Sequence, residues 1–237
     1  MTQPTTQPDP AQLPPYVIDR VMKKRGRLRI FERFEPRETA LVVIDMQDFY
    51  VRDVPSALAI IPNINRLARV FRERGGRVAW VNMVAGDNGR SLWPLYHEYF
   101  FTPDNAARHR DNLSKGRPGQ RLHADLHALP DDIHAEKQRF SAFIEKYSTL
   151  PGLLEAAGIR NVAIVGMLTN FCCETSARDA MMLDYHVAMV SDANAARFDD
   201  DHRVGFQTVF QSFGDVVTVE QMIDEMLWPA TAAAGDA

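Results

Sequence analysis

The chain has 237 residues, 46% hydrophobic and 24% charged, the balance of a globular protein with enough apolar side chains for a sizeable core. That length suits one α/β domain better than two, and the composition excludes disorder throughout. With 27 basic against 31 acidic residues the formal charge is −4, which offers no broad positive field for nucleic acid or anionic lipid.

Residues 1–15 hold five of the fourteen prolines among Thr, Gln and Asp, and are expected to form a flexible arm. They lack the charged and apolar parts of a signal peptide, and no apolar run approaches the ~20 residues that span a bilayer. A cytoplasmic location without a membrane partner is therefore expected. Residues 16–37 read as an extension that opens with a basic, mildly amphipathic surface helix over 16–27. The main domain is expected over 38–228, followed by a frayed tail at 229–237.

Within the domain, short β-branched runs recur at 40–45, 77–84, 132–137, 161–166, 186–191 and 215–219, each too short and too evenly apolar for a helix. They predict buried strands. Ile64, Leu67, Ala68 and Phe71 stand at helical spacing ahead of Gly75-Gly76, and most other intervening segments carry the same period. Alternating strands and helices predict a doubly wound, mostly parallel sheet with helices on both faces. Residues 85–131 break the pattern with repeated Gly and Pro, a long connection holding one or two helices at most, of the kind that often serves as a functional lid. Such sheets bind ligands beyond the carboxyl ends of their strands.

Three chemistry-bearing residues stand at those ends. Asp45 closes the first run, where the plain alternative is a helix cap or a satisfied buried Asp. Lys137 closes the third, where the alternative is a solvated amine. Cys172 and Cys173 follow the fourth at the start of a predicted helix, whose free N–H groups and dipole favour a thiolate, though a free Cys is also a good small core residue. Being adjacent, the two cysteines do not suit a disulfide. Together, acid, amine and thiol are the parts of an activated nucleophile for acyl transfer.

The fingerprints of dinucleotide, P-loop and serine-hydrolase sites are missing, and no cofactor is required by what remains. His123 and His127 are spaced i, i+4 beside Leu122, Leu126 and Leu129, and suggest one half-buried helical turn rather than a metal site.

At this point the chain resembles the isochorismatase-like cysteine hydrolases, which include nicotinamidases and the N-carbamoylsarcosine and ureidoacrylate amidohydrolases. Leu41-Val42-Val43-Ile44-Asp45-Met46-Gln47-Asp48-Phe49-Tyr50 is similar to the family's V-I-D-x-Q-N-D-F opening. Lys137-Gln138-Arg139-Phe140-Ser141-Ala142-Phe143 is similar to K-x-x-Y-S-A-F, and the stretch from Gly166 through Thr169, Asn170, Cys172, Glu174 and Ala177 to Ala180 is similar to G-x-x-T-N-x-C-V-E-S-T-A-R-D-A. Ser191-Asp192-Ala193 also fits, although a polar turn closing a strand would explain it.

The resemblance implies strand order 3-2-1-4-5-6, dimers or tetramers, and Asp45 as base, Lys137 as electrostatic helper and Cys172 as nucleophile. It further implies a cis peptide at Met167-Leu168, with the backbone N–H groups of Leu168 and Cys172 as the oxyanion hole. Cys173 takes a position the family usually fills with Val. The metal ligands of nicotinamidases have no equivalents after the second strand, which disfavours nicotinamide, and a free thiol favours C–N hydrolysis over cleavage of an enol ether. The expected activity is hydrolysis of a small amide, ureide or carbamoyl compound through a thioester, with release of ammonia or amine. Acid-catalysed enol-ether hydrolysis at Asp45 and an inactive, thiol-sensing domain are the alternatives. Candidate substrate contacts are Tyr50, Asn82, Trp93 and Phe171, with Arg90 and Arg110 as possible partners of a substrate carboxylate.

Overall fold

The computed structural model describes residues 13–227, so the expectations for most of the arm and for the tail fall outside it. Its centre is a six-stranded parallel sheet: β1 Thr39–Ile44, β2 Arg77–Met83, β3 Ile133–Lys137, β4 Asn161–Met167, β5 His186–Ala195 and β6 Asp215–Val217. The order is β3-β2-β1-β4-β5-β6, so the chain winds outward from β1 in one direction and from β4 in the other.

Strand period two sorts the core into two layers. Leu41 and Val43 of β1 face the layer that holds α3 (Pro55–Glu73), the long helix after the short α2 (Asp48–Asp53), with Ile64, Leu67 and Phe71. Ala40, Val42 and Ile44 face the opposite layer, built from α1 (Pro15–Arg25), α6 (Leu150–Ala156), α7 (Glu174–Met182) and α8 (Asp199–Ser212). All six β1 residues are buried, and each large aliphatic side chain removed from water there contributes ~1.5–3 kcal/mol. The extension is tied to the sheet edge: Val17 and Val21 of α1 are buried, and the Asp215 carboxylate accepts the backbone N–H groups of Ile30 and Phe31 at 2.7 and 2.8 Å.

β5 runs four residues past its predicted end, so Ser191-Asp192-Ala193 lies inside a strand and not in a closing turn. A register shift opposite Ile164 and Gly166 makes room for the extra length. Asn194 stabilises the shift by donating to the Ile164 and Val190 carbonyls at 3.0 and 2.7 Å. The long connection contains a short antiparallel pairing of Gly86–Asp87 with Arg90–Ser91, then α4 (Pro94–Tyr99) and α5 (Pro103–Asn112). His123 and His127 sit in a loop with one isolated turn, not a helix, because Asn65 accepts the His127 N–H at 2.8 Å and holds the segment extended against α3. No helix among the described residues is long and apolar enough to cross a membrane.

Candidate active site

Three strand ends converge where the strand order reverses. Asp45 is the first residue beyond β1, with φ 56° as the chain turns off the sheet. Lys137 is the last residue of β3. Cys172 lies on a five-residue π-helical turn, Thr169–Cys173, that precedes α7, so it stands just ahead of the predicted first α-helical turn. Gly166 makes this approach possible. Its φ is 112°, and a Cβ there would lie 2.2 Å from the Ile44 carbonyl oxygen, so only glycine lets β4 pass this close to β1. The next peptide, Met167-Leu168, is cis.

Lys137 is completely buried, and its ammonium has three close acceptors: Asp45 Oδ2 at 2.7 Å, the Arg139 carbonyl at 3.0 Å and Cys172 Sγ at 3.3 Å. The Asp45 contact is a short ion pair between two buried side chains. Gln47 braces the turn after Asp45. Its amide donates to the Met83 and Gln120 carbonyls at 3.0 and 2.8 Å and accepts the Met83 N–H at 2.8 Å. Beneath the cysteine turn, Thr169 Oγ1 pairs with His202 Nδ1 at 2.8 Å, and Gly205 of α8 packs against Asn170.

Burial raises the Asp45 carboxyl above its ordinary range despite the Lys137 charge beside it. Burial would lower Lys137, but the Asp45 and Cys172 charges outweigh it and hold the ammonium protonated. Burial, reinforced by Asp45, pushes the Cys172 thiol far up. This reverses the thiolate expected from the helix terminus. With Asp45 and Lys137 ionised the buried trio is neutral, and loss of the thiol proton to solvent would leave a net negative charge out of water. Transfer of that proton to Asp45 keeps the sum at zero, so the arrangement suits deprotonation inside the site.

The linkage is testable. Cys172 and Lys137 keep their protons to higher pH in the folded chain than in the unfolded one, so above the ordinary thiol value of 9.0 the folded state binds more protons. The unfolding free energy should therefore fall as pH rises beyond it. Urea denaturation at about pH 8 and about pH 10 should show this fall, and it should be shallower in Cys172→Ala. The same slope in both proteins would remove Cys172 as its source.

A cavity of about 380 Å³ opens over the trio, in the size range of small-molecule sites. Asp45 and Cys172 line its floor together with Met167 and Leu168, and the backbone positions expected for an oxyanion hole, Leu168 and Cys172, thus border it. Tyr50 and Phe171 are in its wall. Asn82 and Trp93 are not: the Asn82 amide turns to the Gln120 carbonyl at 3.2 Å, and Trp93 is taken up by Tyr96, Phe140 and the Arg139 guanidinium. Arg90 and Arg110 also lie outside the wall, and Arg110 is paired with Asp111 at 2.7 Å. The arginines at the cavity are Arg108, bound to Asp53 at 2.8 Å, and Arg197.

Tyr96, Phe101, His109 and Phe140 also line the wall and were not singled out in the sequence. They come from the irregular connection and from the segment after β3, where no periodicity shows which side faces inward. Among the described residues, no cluster of three or more His, Cys, Asp or Glu side chains could hold a metal ion.

A parallel sheet reversing its winding beneath a buried Asp and Lys and a half-buried Cys is an open, doubly wound α/β architecture with its reactive side chains at the strand ends. The family model for the isochorismatase domain matches residues 39–221, and the chain belongs to that family. It is 29% identical over 224 residues to the ureidoacrylate amidohydrolase RutB of Cronobacter sakazakii, covering 80% of this chain and 92% of that one. It is 32% identical over 173 residues to a probable inactive nicotinamidase of Arabidopsis thaliana, covering 70% and 85%. Among solved structures, a cysteine hydrolase from Pseudomonas syringae pv. phaseolicola 1448A shares the fold, with a TM-score of 0.71, 24% identity and coverage of 83% and 95%.

Proposed function

We propose that this protein is a cysteine-dependent amidohydrolase that cleaves the C–N bond of a small amide, ureide or carbamoyl compound. Cys172 Sγ attacks the carbonyl carbon as its proton passes to Asp45, and the oxyanion is received by the Leu168 and Cys172 N–H groups. Collapse breaks the C–N bond. The leaving nitrogen takes the proton from Asp45, departs as ammonia or amine, and leaves a thioester on Cys172. Asp45 then accepts a proton from the attacking water, the acid is released, and the sulfur regains its proton. Lys137 keeps Asp45 ionised at rest and offsets the charge on sulfur during attack.

The observation that carries this reading is the buried Lys137 ammonium touching both Asp45 Oδ2 and Cys172 Sγ at the floor of a small-molecule cavity. The family membership and the likeness to an amidohydrolase of ureidoacrylate support C–N hydrolysis.

Ammonia release should be measured with ureidoacrylate, N-carbamoylsarcosine, nicotinamide and simple primary amides. Turnover is expected for a ureido or carbamoyl acid and not for nicotinamide. Acid quenching during turnover should trap an acyl adduct whose added mass maps by peptide analysis to Cys172. An adduct confined to Cys173, or turnover with no adduct under rapid quenching, would contradict the thioester route. No ammonia from any of these compounds, with the thiol still alkylated, would favour the thiol-sensing alternative instead.

A further inference from the structure

A line of hydrogen bonds runs from the hairpin at 86–91 to the cavity wall. Ser91 Oγ meets His97 Nδ1 at 2.6 Å, His97 Nε2 meets His109 Nδ1 at 2.9 Å, and His109 Nε2 meets the Tyr50 hydroxyl at 3.0 Å. Both imidazoles are buried. Burial holds both rings below the ordinary histidine value, with Arg110 adding to the effect at His97. The His109 ring is pushed down to about 3, with His97 and Lys137 as further causes. They are therefore neutral at pH 7.

A neutral imidazole has one donor and one acceptor nitrogen, so every proton along this line must point the same way. If the protons point away from the cavity, His97 Nδ1–H donates to Ser91 Oγ. That oxygen already accepts the Trp93 N–H at 3.1 Å, and the serine's own proton is then left without an acceptor among the described residues. If they point toward the cavity, Ser91 donates to His97, His97 Nε2–H donates to His109, and His109 Nε2–H donates to the phenol oxygen. Ser91, His97 and His109 are then satisfied, and the one proton left over moves from the serine to the phenol. The Tyr50 proton is left over at the cavity wall, where the hydroxyl has no second hydrogen-bond partner among the described residues.

We propose that Tyr50 is a substrate-positioning hydrogen-bond donor, fixed in that role by His109, His97 and Ser91, and that the substrate carries a carbonyl or carboxylate oxygen to receive it. The inference rests on the amidohydrolase reading of the same cavity and deepens it: a compound with an oxygen acceptor beyond the scissile amide is preferred over a plain hydrocarbon amide. The histidines are positioning residues: His109 borders the cavity with its ring, but both its nitrogens are taken by His97 and Tyr50, so its polar effect on substrate passes through the phenol. A bond made equally to substrate and transition state alters binding, not the chemical step.

Long-range ¹⁵N–¹H spectra of the full chain labelled at histidine should show His97 and His109 both protonated at Nε2. Protonation at Nδ1 would reverse the line and overturn the proposal. With whichever of ureidoacrylate and N-carbamoylsarcosine is turned over faster, Tyr50→Phe should raise KM by about 10-fold and leave kcat within about 2-fold. His109→Leu should raise KM similarly in the parent but add nothing in the Tyr50→Phe background. His109→Gln, which keeps a donor toward the phenol and an acceptor toward His97, should restore most of the loss. An unchanged KM in Tyr50→Phe, or effects of Tyr50→Phe and His109→Leu that multiply, would sink the role. Nε2 protonation together with no ammonia from either compound would instead count against the amidohydrolase reading, and Nδ1 protonation with turnover intact would count against this inference alone.

Discussion

Cys172→Ala is expected to lower kcat for ammonia release by about 10⁴-fold or more, equivalent to ~5 kcal/mol of transition-state stabilisation, with the fold intact. The sulfur sits 3.3 Å from the Lys137 ammonium and is half-buried at the cavity floor, so removing one atom deletes the nucleophile without opening the core. Cys172→Ser separates mechanisms more sharply. A hydroxyl holds its proton far more tightly than a thiol, and Asp45 is a weak base for it, so the serine enzyme should keep less than about 1% of turnover. Acid catalysis at Asp45 on an enol ether would need no nucleophile there, and near-normal turnover by the serine variant would favour that chemistry. Ammonia release and acyl-adduct mass on the same samples distinguish the two.

The sheet was legible because most of its strands are short β-branched runs buried on both faces; the edge strand β3 is partly exposed, β6 stops at Val217, and the far end of β5 escaped. Its extension depends on Asn194 bonding two carbonyls across a register shift, a tertiary event that no local pattern encodes. The trio was legible for a different reason. Parallel strands put their carboxyl ends on one edge, so residues at 45, 137 and 172 share a level however far apart they stand in the chain. The protonation state was not legible, because it depends on the total burial of three coupled groups and the helix terminus is only a small part of that sum. Two of the four candidate substrate contacts border the cavity. Tyr50 and Phe171 adjoin the motifs and follow Asp45 and Cys172 into the cavity wall. Asn82 and Trp93 were placed by nearness to a strand end, but the Gln120 carbonyl and the Arg139 guanidinium hold them elsewhere. His97 and His109 lie on separate short helices brought together by tertiary contacts, their own hydrogen bond among them.

Lys137→Met should destabilise the fold by about 3–5 kcal/mol at pH 7, a loss visible in urea denaturation midpoints. The methionine fills much the same volume, so the cost is electrostatic: Asp45, almost fully buried, loses the ammonium 2.7 Å away. Asp45→Asn should cost a comparable amount by stranding the ammonium in the same place. The double variant should lose less than the sum of the two by at least about 2 kcal/mol, since it leaves no charge uncompensated. Acidity supplies the sign. Without Lys137 the Asp45 carboxyl lies further above its unfolded value, so the folded state takes up a proton first as pH falls. Stability should then recover from pH 7 toward about pH 5 relative to the parent. An equal deficit at both pH values would trace the loss to packing and not to charge. Either single variant should also lose most ammonia release, because neutrality of the trio is what allows the thiol proton to move to Asp45 without creating a net charge out of water.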